Sequence, residues 1–164
     1  MKFGAICQGD RSSSVFVAEW YPLQRLGDNE VISKQDWSVI LQAKEAINKV
    51  IEDQRNLGNV KGSLEADIQL FADSALSESL AKLGDELRFV TITSKASLSG
   101  LEGSHGAEDS AMEGLKVALQ RSAADKCVRC WHFIDDVGAN ADHPEVCGRC
   151  ISNISGQAEV RLHA

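Results

Sequence analysis

The sequence predicts an α+β chain in which a long helix precedes a small strand–helix–strand unit, closed by a four-cysteine zinc knuckle. Three observations carry this. Apolar residues recur at three- and four-residue steps over residues 36–57. Two later segments, 64–70 and 114–119, alternate apolar and polar residues with a period of two. Cys127-Val-Arg-Cys130 and Cys147-Gly-Arg-Cys150 are two C-x-x-C pairs separated by sixteen residues, the spacing of a four-thiolate zinc site.

In chain order, Met1 to Asp10 has no usable periodicity. Ser14-Val-Phe-Val17 reads as a short extended segment leading to Trp20-Tyr21-Pro22, where Pro22 holds Tyr21 out of helical geometry. Residues 23–33 are polar and irregular. The helix starts near Asp36, with Ser33 or Asp36 as its cap, and places Trp37, Ile40, Leu41, Ile47, Val50 and Ile51 on one face. Gly58 ends it. On these residues alone the apolar stripe needs a partner surface.

Leu64, Ala66, Ile68 and Leu70 alternate with Glu65, Asp67 and Gln69, which predicts a half-buried strand. Leu76, Leu80 and Leu83 restore helical spacing over 72–83, with Gly84 as the stop. The β-branched run Arg88-Phe-Val-Thr-Ile-Thr93 predicts a second strand. Residues 94–113 are rich in Gly, Ser and acids and are expected to form a flexible loop. Gly114 to Leu119 is expected as the third strand. The resulting organisation is 1–62, 63–123 and 124–164, the last being the zinc unit.

Four soft thiolates in a tetrahedron suit zinc, with Zn–S bonds of about 2.3 Å; iron shares the ligand set. Gly148, after the third cysteine, is expected to supply a tight turn with positive φ. With Cys127, Cys130, Cys147 and Cys150 all bound, no position is left for water or substrate, so one Zn2+ with a structural role is expected. His132 and His143 lie between the pairs and are expected beside the site rather than on the ion. Cys7 is far away in sequence and reads as a small, partly buried residue.

Charge and composition narrow the functional classes. The 164 residues are 43% apolar and 5% aromatic, and the formal charge is −7. Residues 61–125 hold 6 basic and 11 acidic groups, whereas 126–164 hold 4 and 5. A net negative chain is no general nucleic-acid binder. No charged-then-apolar leader and no apolar run of eighteen residues is visible, so a soluble, cytoplasmic protein without membrane contact is expected. G-x-x-x-x-G-K-S/T and G-x-G-x-x-G loops are missing, and no Ser/His/Asp or Cys/His set can be assembled, so no catalytic residue is assigned.

Several segments in order carry a resemblance: Asn48-Lys-Val-Ile51, Gly62-Ser-Leu-Glu-Ala66, Leu83-Gly-Asp-Glu-Leu-Arg-Phe-Val90, Cys127-Val-Arg-Cys-Trp-His132 and Val146-Cys-Gly-Arg-Cys-Ile-Ser-Asn153. With Ser14 to Tyr21, they resemble the C-terminal region of bacterial-type isoleucyl-tRNA synthetases from about residue 9 onward. The zinc finger alone also resembles that of formamidopyrimidine-type DNA glycosylases, the alternative reading. Those enzymes use an N-terminal proline as nucleophile, and here the second residue is Lys2.

The synthetase resemblance implies that residues 1–62 end a helical anticodon-binding domain, with the helix stripe packed on helices preceding Met1. It further implies that 63–123 is a junction domain and that the zinc unit faces the anticodon side of tRNA-Ile. It makes the four cysteines metal ligands and the catalytic and editing portions of the synthetase partners, while duplex DNA is not one. The His-Ile-Gly-His-type and Lys-Met-Ser-Lys-Ser-type signatures of amino-acid activation are missing, so these residues alone are expected to be inactive. Candidate tRNA contacts are Arg129, Trp131, His132 and Arg149. Trp131 either stacks on a base or covers the knuckle's small core; the arginines either meet RNA or are solvated.

Overall fold

The computed structural model describes residues 31–163. Cys7, the extended segment at 14–17 and the turn at Pro22 lie outside them. The first helix, α1 (Lys34–Asn56), opens on a capping box: Asp36 N–H donates to Ser33 Oγ at 3.1 Å, and Ser33 N–H donates to Asp36 Oδ2 at 2.8 Å. Both predicted cap residues therefore take part. At the other end Gly58 has φ +81°, and Asn59 N–H returns to Gln54 O at 3.0 Å. That left-handed closure satisfies the last carbonyls and favours glycine.

After α1 come β1 (Ala66–Ala72), α2 (Ser74–Ala81), α3 (Leu87–Thr91), β2 (Lys95–Gly100), β3 (Glu108–Asp109), β4 (Leu115–Arg121) and, in the zinc unit, α4 (Gly148–Ile154). The sheet order is β2-β1-β4-β3. β1 and β2 run parallel, as a crossover through two helices requires; β1–β4 and β4–β3 are antiparallel. Ala66, Ile68, Leu70 and Ala72 face the helices and are buried, while Gln69 on the opposite face is exposed.

Two expectations fail here. Residues 88–93 are not a strand: Leu87, Val90 and Thr91 bury one side of a short helix, which stops at Ile92 with φ +56°. Four β-branched residues, Val90, Thr91, Ile92 and Thr93, misled because burial at three- and four-residue spacing outweighs local propensity. Nor is 94–113 a loop, since it carries β2 and β3. Ser97 and Ser99 are polar because β2 is an edge strand, whereas Ser94, buried just before it, is polar because its Oγ donates to Leu64 O at 2.5 Å and accepts Phe133 N–H at 2.6 Å.

The stripe of α1 finds its partner within this chain. Ile40, Ala43, Ile47 and Val50 share one core with Leu70, Leu80, Leu115 and Val117. Residues on both sides of position 62 thus contribute to one core, and the stripe expected to pack on helices preceding Met1 is buried by elements of this chain. Leu41, expected on the stripe, is exposed. A polar tie completes the contact: Asp36 accepts from Ser79 Oγ at 2.9 Å and from Lys82 Nζ at 2.8 Å, joining the start of α1 to α2. Among the described residues no helix is long and apolar enough to cross a membrane.

Candidate metal centre

The first cysteine loop is built by its backbone. Cys127 N–H donates to His132 O, and Trp131 N–H donates to Cys127 O, both at 2.9 Å. Below them Lys126 and Phe133 form an antiparallel bridge. Closing so short a loop forces Trp131 to φ +67°, a conformation costing an L-residue about 1–2 kcal/mol. The second pair starts α4, with Cys147 as its N-cap residue.

Gly148 does not carry the expected positive φ. Its reason is close approach: its N–H donates to Asp136 Oδ2 at 3.0 Å, and a Cβ there would stand 2.6 Å from the same oxygen. The positive φ falls instead on Trp131, after the second cysteine.

Chain folding brings all four thiols together, with every sulfur within 4.8 Å of the others. Cys130 Sγ and Cys147 Sγ are 3.7 Å apart, too long for a disulfide. Zn–S bonds of about 2.3 Å imply sulfur–sulfur edges of about 3.8 Å, so the donor set fits a tetrahedral ion. Cys127, Cys147 and Cys150 are buried. Burial opposes ionisation at each. At Cys127 it is outweighed by backbone N–H groups of Cys130, Cys147 and Arg129, which bring its thiol down to about 6. Burial and adjacent sulfurs push Cys147 up to about 12 and raise Cys150 as well. One thiolate is easy here and four require a cation among them. Zinc supplies that charge as a Lewis acid when bound.

The other predicted residues separate into two groups. Trp131 is 61% exposed, with Lys126 Nζ 5.7 Å from its ring centroid, so it does not cover the knuckle's core. Ile134, Val137 and Val146 do that. Arg129 turns back onto the site, its Nη1 lying 3.5 Å from Cys150 Sγ. His132 and Arg149 point toward α3. His132 Nδ1 donates to Cys130 O at 3.2 Å and the ring meets Phe89 edge-on at 5.9 Å; burial lowers its pKa, and Arg149, Arg88 and Arg161 lower it further. Arg149 Nη1 donates to Glu159 Oε1 at 3.2 Å. His143 is not among the clustered ligands. Sequence reading missed Phe89, Arg88, Glu159 and Arg161, since no local pattern connects residues so distant along the chain.

Comparison with known proteins fits this geometry. Residues 124–153 match the family described as a zinc finger found in FPG and IleRS. The isoleucine–tRNA ligase of Alcanivorax borkumensis is 49% identical over 158 residues, which is 95% of this chain and 17% of that protein. Those of Teredinibacter turnerae and Pseudomonas aeruginosa are 44% and 46% identical, with the same shares covered. The chain thus spans about a sixth of the length of these relatives. From its helical start to its zinc finger, this chain matches the C-terminal region of isoleucine–tRNA ligases.

Proposed function

We propose that this chain is the tRNA-facing end of an isoleucine–tRNA ligase, contributing anticodon-side contacts with tRNA-Ile while other portions of the enzyme perform ATP-dependent aminoacylation and editing. A single structural zinc, held by Cys127, Cys130, Cys147 and Cys150, makes the knuckle rigid. Such an enzyme works in the cytoplasm. The observation that carries the reading is Trp131: a large aromatic in the left-handed region, 61% exposed, on a metal-pinned loop. Glycine or asparagine would enter that region at less cost. Holding an indole outward at this cost is what base stacking requires, and stacking contributes about 1–3 kcal/mol per base.

The test is filter binding of a tRNA-Ile transcript and of duplex DNA at matched, stated salt. The expected result is measurable tRNA affinity, no comparable DNA affinity, and a loss of about five- to hundredfold on Trp131→Ala with zinc content unchanged. Equal affinity of wild type and Trp131→Ala would refute the stacking role. Preference for duplex DNA would favour the glycosylase-like alternative.

A further inference from the structure

Phe89 on α3 is the meeting point of three guanidinium groups. The Cζ atoms of Arg161, Arg88 and Arg149 lie 4.0, 4.8 and 5.1 Å from its ring centroid. They arrive from the C-terminal segment, from α3 itself and from the first turn of α4. Each contact with the ring is attractive, but three cations drawn together repel unless counter-charge is supplied.

That counter-charge does not reach Arg88. Glu159 pairs with two of them, its Oε1 lying 3.2 Å from Arg149 Nη1 and 2.9 Å from Arg161 Nη2. Arg88 makes no ion pair among the described residues, and its buried Nε–H has no acceptor. Planar, forked donors around one ring, one of them with an unpaired Nε–H, suit an anion with several acceptor oxygens. Phosphate is such an anion.

We propose that Arg88, Arg149 and Arg161 form a binding site for one phosphodiester group of RNA, and that the Glu159 carboxylate holds the phosphate's place in the free protein. The site deepens the tRNA reading above and rests on it. The displaced carboxylate can leave without freeing the chain around it. Glu159 N–H is held by Asn153 Oδ1 at 3.0 Å, while Glu86 accepts the N–H groups of Leu162 and His163 at 2.6 and 2.7 Å. Trp131 and His132 are consecutive, so the stacking face and the arginine site share one metal-pinned loop.

The experiment compares zinc-loaded full chain as wild type, Arg88→Gln, Glu159→Gln and Trp131→Ala, binding tRNA-Ile transcript over a salt series. A parallel arm follows the arginine Nε–H resonances of wild type during titration with inorganic phosphate. Arg88→Gln is expected to weaken binding about three- to tenfold and to lower the salt slope by about one. Glu159→Gln, which removes the competing charge, is expected to tighten binding several-fold. Phosphate is expected to move the Arg88 Nε–H signal. Weaker binding by Glu159→Gln together with an unchanged slope in Arg88→Gln would overturn the site, even where Trp131→Ala still loses affinity and upholds the tRNA reading. Wild type that binds no tRNA would overturn that reading, and the RNA phosphodiester with it. An Arg88 signal that phosphate leaves unmoved would overturn the anion site itself.

Discussion

Removing the metal is expected to unfold the knuckle and leave the rest of the structure standing. The perturbation is strong chelation, or Cys147→Ser, which takes one buried ligand away. Among the described residues the knuckle's fully buried side chains are all cysteines, and its other core members are Ile134, Val137, Val146 and Cys130, each partly buried. Each of the three aliphatic groups contributes less than the ~1.5–3 kcal/mol of full burial. Structural zinc contributes on the order of 10–16 kcal/mol, as much as the whole stability of an ordinary domain, about 5–15 kcal/mol. The core of α1, β1 and β4 contains no metal ligand and buries Ile40, Ile47, Leu70, Leu115 and Val117. Hydrogen exchange with and without metal is the assay. Amides of 127–151 should lose protection, Phe133 N–H on Ser94 Oγ among them, while those of α1 and β1 keep theirs. Retained protection of the Cys127 and Trp131 amides in metal-free protein would refute the reasoning. So would simultaneous loss across α1.

Three further outcomes follow from particular residues. Lys82 above all, then Ser33 and Ser79, holds Asp36 well below the usual carboxylate range. Its contribution is therefore complete above the unfolded carboxylate pKa and lost as pH falls toward the folded one; Asp36→Asn should flatten the acid limb of an unfolding-versus-pH series. Asp67 is the opposite case, since burial raises its carboxyl and its Oδ1 has no partner. Folding then disfavours its charged form, so Asp67→Asn should stabilise at neutral pH by up to about 1 kcal/mol, with the gain shrinking as pH falls through the raised pKa, as read by denaturant midpoint. Ile92, β-branched, half-exposed and at φ +56°, should tolerate Asn with a gain of up to about 1 kcal/mol, because Asn enters the left-handed region more readily; a destabilised Ile92→Asn would mean that the side chain's packing outweighs the strain.

What was legible from the chain is what depends on neighbours in sequence. Ser33 three residues before Asp36, Gly58 at a helix end, the alternation through Ala66 and Leu70, and two C-x-x-C pairs all act through bonds a few residues long. The fold therefore keeps α1, β1, β4 and the thiol cluster close to where the pattern puts them. Residues 88–93 and 94–113 were misread for one reason. In each, the partner that decides the conformation lies elsewhere: the core under Leu87 and Val90, and strand β1 beside Lys95 to Gly100. Ser97 and Ser99 do not announce a strand, because an edge facing water needs no apolar alternation.

By itself the sequence determined that two distant cysteine pairs meet in one four-thiol cluster suited to zinc, since ligand type and loop length are local properties. Only the tertiary structure decided which way each neighbouring side chain faces. It turned Trp131 outward, folded Arg129 onto a cysteine sulfur and drew Arg149 and His132 inward to Phe89. A residue's direction depends on what its loop packs against. Here that is a helix about forty residues upstream and a carboxylate that follows α4, and neither is written into the spacing of the cysteines.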